Sequence, residues 1–388
     1  MYSFDHVIER RHTHSLKWDE TERFFGVKDV LPMWVADMDF QAPPAVIEAI
    51  AKRVGHGVFG YTAIPHSLKE ALSEWLKTRH QWTVQPDWMS FSTGVVPAIA
   101  TAITAFTSPG DRIVVFSPVY PPLFQLVQKN GRELVTSSLQ LTEATYEIDW
   151  TDVREKLKGA KMLLLCSPHN PSGRVWRKEE LTTLGELCVE NNVLVVSDEI
   201  HADLTLPLFQ HTPFASINDA FADISVTCVA PTKTFNLAGL QCASIIIPNK
   251  QLKKQFDAAQ QRQGFFTLNT FAVVGAEAAY RHGSDWLDAL LAYIQQNIDR
   301  TCSFLGTSLP KLRPIRPEAT YLVWIDCREL GIPEQQLKQL LLHKGKIAVE
   351  MGSKFGEEGR GFIRLNVACA QQTLQEAFHR LETALQDL

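Results

Sequence analysis

Lys233 stands directly behind the apolar run SVTCVA and is hemmed by Pro231, Thr232 and Thr234. Desolvation at such a place strips the proton from an ammonium and leaves an amine able to attack an aldehyde. Alone, the same lysine reads more readily as a solvated loop residue. Asp198 changes that balance. It follows NVLVVS, so its carboxylate ends buried or nearly so, and a buried carboxylate needs a cation opposite it. A protonated pyridine nitrogen is one such cation, and an acid held there makes the ring an electron sink. Capping the next helix, or pairing with a lysine, is the plainer role for an aspartate in this position.

Other residues at the ends of apolar runs suit the same chemistry. Asn170 lies in S-P-H-N-P-S-G, a loop stiffened by two prolines, where its amide can donate to a ring hydroxyl or simply make a turn. Gly94 separates MSFST from the Ala-rich VVPAIATAITAF, so the amides of Gly94, Val95 and Val96 are free at a helix start to receive a phosphate. Tyr120, between prolines in S-P-V-Y-P-P, can stack on an aromatic ring or join the core. Arg364 sits mid-strand in G-F-I-R-L-N, where a guanidinium calls for a carboxylate, from a substrate or from a structural ion pair. His12 and His14 read as surface residues. The glycines from Gly356 to Gly361 have the wrong order for a dinucleotide fingerprint and read as a turn before the arginine strand.

These residues share one placement. The runs MSFST, RIVVFS, KMLLLCS, NVLVVS and SVTCVA each end in the polar residues just described and lead into helical sequence, the pattern of an α/β fold with a mostly parallel sheet. Ligands of open parallel sheets bind beyond the carboxyl ends of the strands, which is where all five tails are delivered. A sixth run, CASIIIP, carries no functional tail and reads as an antiparallel edge or neighbour. TYLVWID and GFIRLNV read as strands near the end of the chain. Leu374, Ala377, Phe378, Leu381 and Leu385 mark one face of a closing helix. This predicts an N-terminal segment over 1–48, a large domain over 49–286, and a smaller α+β domain over 287–388 that also draws on the chain start.

Composition sets the frame. The chain has 388 residues, 45% of them apolar, and a formal net charge of -5 without long runs of one sign. That argues for small-molecule partners rather than nucleic acid or an anionic membrane. The start, MYSFDHVIERRHTH, has no continuous apolar stretch, which points to the cytoplasm. Seven scattered cysteines without a C-x-x-C pair give neither a disulfide framework nor a zinc site, so no metal is expected.

With L-P-M-W-V-A-D-M-D-F (Leu31 to Phe40), H-G-V-F-G-Y-T (His56 to Thr62), S-P-H-N-P-S-G, S-D-E-I-H, P-T-K-T-F-N, Y-L-V-W-I-D and G-R-G-F-I-R-L-N, the chain resembles the fold-type I pyridoxal-phosphate enzymes of the aspartate aminotransferase superfamily. Within them it is similar to the MalY/PatB branch of cystathionine β-lyases over nearly its whole length. The resemblance implies that Lys233 carries pyridoxal 5'-phosphate as a Schiff base, Asp198 partners its ring nitrogen and Asn170 its ring hydroxyl. Tyr120 stacks on the ring, and Arg364 binds the substrate carboxylate with the backbone near Ala36. Tyr61 matches a tyrosine that reaches the phosphate in the neighbouring subunit, which implies a homodimer with shared sites. The reaction implied is β-elimination from cystathionine or another cysteine S-conjugate, with transamination as the rival. Some members of the branch also contact a transcription regulator. Three positions depart from the common aminotransferase pattern: His201 replaces a tyrosine, Gln241 an arginine and Ala230 a serine. Phosphate anchoring then leans on the backbone amides, Thr232 and Tyr61.

Overall fold

The apolar runs form strands whose alternate residues are buried on opposite faces. The computed structural model describes residues 2–143 and 145–388. Its main sheet contains β1 (Met89–Ser92), β2 (Arg112–Ser117), β3 (Glu133–Ser138), β4 (Met162–Cys166), β5 (Leu194–Asp198), β6 (Ser225–Val229) and β7 (Ala243–Ile246). Ile113, Val115, Met162 and Leu164 pack on one side with the helix Val95–Phe106, while Val114, Phe116, Leu163 and Leu165 pack on the other with the helix Lys178–Glu190. Burial on both faces is why these strands read as unbroken apolar runs.

The spatial order is β1-β7-β6-β5-β4-β2-β3. Neighbours from β3 to β6 pair in parallel, and β7 runs antiparallel to both β6 and β1. CASIIIP is thus an inner antiparallel strand. Its reversal leaves β1 pointing the same way as β6, so the carboxyl ends of β1, β2, β4, β5 and β6 share one edge. This is the convergence expected from the sequence.

A second sheet, fully antiparallel, holds β8 (Arg313–Ile315), β9 (Leu322–Asp326), β10 (Glu350–Met351) and β11 (Phe362–Asn366) in the order β8-β9-β11-β10. The closing helix Gln371–Leu385 buries Leu374, Ala377, Leu381 and Leu385, and Phe378 stacks on Phe304 at 4.3 Å. The chain start reaches this region, because Leu31–Pro32 pairs in parallel with Ile347–Ala348. Among the described residues no helix is long and apolar enough to cross a membrane. All seven cysteines are unpaired.

Candidate active site

A cavity of about 370 Å3 opens at the carboxyl edge of the main sheet. Every candidate cofactor or substrate residue expected from the sequence lines it except Tyr61, which is 98% exposed and packs edge-on against Phe266 at 6.0 Å. Tyr61 therefore does not reach the cavity of its own chain.

Lys233 is carried by a single helical turn, Pro231–Thr234, that follows β6. The turn is pinned from behind: Thr234 Oγ1 donates to Asp203 at 2.7 Å, and the same carboxylate accepts from Trp75 Nε1 at 2.9 Å and meets His80 Nε2 at 2.7 Å. On the cavity side Lys233 Nζ donates to the Ala36 carbonyl at 2.5 Å, which also accepts from the Tyr321 hydroxyl at 2.9 Å. Burial pulls the Lys233 ammonium down to about 8, against the opposing pull of Asp37 and Asp198. Because its carbonyl is already taken, and an acceptor in any case, Ala36 has only its N–H to offer a carboxylate.

The loop bearing Ala36 is held by charges that the sequence reading did not pair. Asp39 accepts from Arg10 at 2.6 Å, fully buried Lys17 at 2.7 Å and Trp18 Nε1 at 2.9 Å. Asn366 Nδ2 donates to the carbonyls of Val35 and Asp37, both at 2.6 Å. A two-sided clamp of this kind fixes the backbone against which Lys233 rests.

Asp198 ends β5 and is 5% exposed, yet among the described residues its carboxylate accepts one hydrogen bond, from Ile200 N–H at 3.3 Å. Neither plainer role is realised, since no lysine lies in ion-pair contact and no long helix follows. Burial pushes its carboxyl up to about 7, only partly offset by the Ile200 N–H and the charge of Lys233. His201 is buried beside it with Nδ1 unpartnered, and burial, reinforced by Lys233 and Arg364, holds its ring down to about 3, hence neutral.

Arg364, mid-strand in β11 and 4% exposed, donates to Asn170 Oδ1 and to the Trp34 carbonyl, each at 2.9 Å. Its Nε has no partner, and among the described residues it makes no ion pair. The bond to Arg364 engages the Asn170 amide oxygen and leaves Nδ2 to donate. Tyr120 takes its backbone anchor from the Asn170 carbonyl at 3.0 Å. Burial, then the nearby Asp198 charge, raises its phenol above the usual range.

Gly94 precedes the twelve-residue helix Val95–Phe106. Its φ of 173° is extended backbone that any residue adopts, and an added Cβ would meet nothing closer than Pro97 Cδ at 3.4 Å. Neither conformation nor packing demands glycine, so what its missing side chain preserves is room in the cavity wall, beside the free amides of the helix start. Thr232 lines the same wall, as does Gln241 in place of the arginine common elsewhere.

Sequence reasoning missed Tyr321, Glu350, Trp34 and Leu16, the last three of which line the cavity. Trp34 stands two residues before Ala36 in the same motif, but its apolar ring gave no hint of a cavity wall. Glu350 gave no local signal at all.

Three features of the residues present fit a phosphorylated pyridine aldehyde: a buried acid short of a counter-charge, a desolvated amine, and a helix start beside a glycine that neither backbone conformation nor packing requires. Comparison with known proteins agrees. The model of the aminotransferase class I and II family matches residues 28–381. Cystathionine β-lyase PatB of Bacillus subtilis is 50% identical over 385 residues, covering 99% of this chain and 100% of that protein. Protein MalY of Escherichia coli is 31% identical, with 99% of each chain covered. The crystal structure of cystalysin from Treponema denticola, which contains pyridoxal 5'-phosphate, superposes with a TM-score of 0.97 at 36% identity, covering 100% of this chain and 99% of that one. With the converging strand ends and this coverage together, the chain belongs to the aminotransferase class I and II family and, within it, to the branch that includes PatB and MalY.

Proposed function

We propose that this chain is a pyridoxal-phosphate-dependent carbon–sulfur lyase that cleaves L-cystathionine or a related cysteine S-conjugate by β-elimination. Substrate and one water yield a thiol, pyruvate and ammonia. The observation that carries the reading is Asp198: a buried carboxylate at the cavity wall, with its proton affinity raised for want of a partner. When bound, pyridoxal 5'-phosphate supplies an aldehyde for an amine and a ring that draws electrons from the substrate's α-carbon.

The rest is work for the chain's own groups. Lys233 would hold the aldehyde and, freed when the substrate's amine takes its place, would serve as the base at the α-proton, a role suited to an amine that burial has brought down to about 8. Asp198 holds a proton on the ring nitrogen, and in doing so gains the counter-charge it lacks. Asn170 Nδ2 would donate to the ring hydroxyl, and Tyr120 would stack on the ring. The amides of Gly94, Val95 and Val96, with Thr232, hold the phosphate at the helix start. His201, neutral, packs beside Asp198. Arg364 grips the substrate carboxylate with the unpartnered side of its guanidinium, helped by the Ala36 N–H.

The enzyme is a homodimer with shared sites. Val58, Phe59, Tyr61 and Phe266 are all more than half exposed, an apolar group whose burial a second copy would supply, bringing Tyr61 to the partner's phosphate. Seven unpaired cysteines support a reducing, cytoplasmic location.

A panel of cysteine conjugates assayed for pyruvate, with and without a 2-oxo acid, tests the reading. Pyruvate from cystathionine without acceptor is expected. Strict dependence on the acceptor would establish transamination instead.

A further inference from the structure

Glu350 is a buried acid that the chemistry above does not use. It lies on β10 directly opposite Arg364 on β11, and cross-strand partners project to the same face of a sheet. Both line the cavity, Glu350 at 9% exposure and Arg364 at 4%. The Glu350 Oε2 receives no well-directed hydrogen bond; its one counter-charge is the ammonium of Lys354 at 2.7 Å, on a side chain about half exposed. The two cavity residues feel each other's charge without touching, for Glu350 favours the charged form of Arg364 yet makes no ion pair with it.

An acid placed there works against the binding of any anion to Arg364, because like charges in a buried site repel strongly. If the substrate offered only a carboxylate, an apolar or amide residue would serve better. The placement makes sense when the substrate also brings a positive charge into the same cavity. Its α-ammonium is committed to the cofactor at Lys233, so the cation must lie on the far side of the sulfur. Leu16, half exposed, lines the same cavity as Glu350 and Arg364.

We infer that Glu350 selects, among cysteine S-conjugates, those whose leaving thiol carries a cationic group, such as the second ammonium of cystathionine. Lys354 holds that carboxylate until the substrate cation replaces it. The inference rests on the lyase reading and deepens it.

The test compares L-cystathionine with S-ethyl-L-cysteine, whose thiol end is neutral, in the cofactor-loaded wild type, Glu350→Gln and Lys354→Met. For Glu350→Gln, kcat/KM for cystathionine is expected to fall about tenfold, the scale of one hydrogen bond to a charged group. That for S-ethylcysteine should hold or rise in the same preparation, which also shows that the variant is folded. Lys354→Met alters an exposed residue and should shift the ratio the other way, by a few fold. Parallel losses on both substrates in Glu350→Gln would overturn the proposal and make Glu350 a support of Arg364; so would an unchanged ratio in both variants. Wild type that releases pyruvate from neither substrate would sink the lyase reading itself, and this inference with it.

Discussion

Asp198 and Asp203 are five residues apart, the first buried and the second nearly so, and opposite in state. Asp203 has three side-chain partners, His80, Trp75 and Thr234, and although burial pushes its proton affinity up, these partners outweigh it and leave the carboxyl below the usual range. Asp198 has one long backbone contact, and burial prevails, to about 7. Glu199, next to Asp198 in the chain, is satisfied in the same way. Glu199 accepts from Ser197 at 2.9 Å and the Phe214 N–H at 3.0 Å, and meets His211 Nε2 at 2.8 Å. The cavity side is left open: Asp198 is short of partners, and among the described residues His201 Nδ1 and Arg364 Nε have no hydrogen bond. A protein able to satisfy Asp203 and Glu199 so fully could have satisfied Asp198. Its unmet demand belongs to a ligand.

The largest effect should come from the open side. Lys233→Ala removes the amine proposed to anchor the cofactor and take the α-proton, so pyruvate formation should drop by at least about a thousandfold. Borohydride should no longer fix the cofactor to the chain, which mass spectrometry reads directly. The fold should hardly notice, because the Ala36 carbonyl keeps its bond from Tyr321. A variant within tenfold of wild-type turnover would remove Lys233 from the chemistry.

Asp203→Ala probes the finished side and should reverse that pattern. It orphans three buried donors at once, each costing about 1 kcal/mol or more, so chemical denaturation at fixed protein concentration should show a loss of about 3 kcal/mol. The loss should be similar with and without cofactor. Turnover of the folded fraction should change far less than in Lys233→Ala, because the Asp203 bond positions the Pro231–Thr234 turn without touching the cavity. Were stability intact and activity gone, the division drawn between the two regions would be false.

The sequence shows the open side better than the closed one, for a physical reason. Strands buried on both faces declare themselves as apolar runs, and their tails carry residue types with few other uses, so Lys233, Asp198, Asn170 and Gly94 were all visible. The edge strand Glu133–Ser138 was not, because only Val135 and Ser137 are buried and the pattern is half polar. Arg10, Lys17 and Asp39 meet across loops, and no local rule pairs them. Glu350 becomes a cavity residue only through its register with Arg364, a fact of pairing between two separate strands. Tyr61 could be named through resemblance alone, since its own chain gives it no site.

The smallest and most selective effect is that of Asp198→Asn on the cofactor-free protein. In the wild type the folded carboxyl holds its proton up to about 7, whereas the unfolded one releases it near 4. Between those values the folded state binds the extra proton, so stability falls as pH rises from about 4 to 7 and is flat above. Three pH units of difference correspond to about 4 kcal/mol, an upper bound that already includes the attraction of Lys233; water in the open cavity lowers it to about 2 kcal/mol. An amide at this position does not titrate and has no such slope. The variant should therefore match wild type at or below about pH 4, gain on it as pH rises to about 7 and exceed it in full at pH 8, while turnover with cofactor should fall because the ring nitrogen would lose the acid proposed for it. An Asp203→Asn protein, whose carboxyl is already held low, should show no gain at pH 8. If both asparagine variants behave alike without cofactor, the contrast between a satisfied and a waiting carboxylate is wrong at its root.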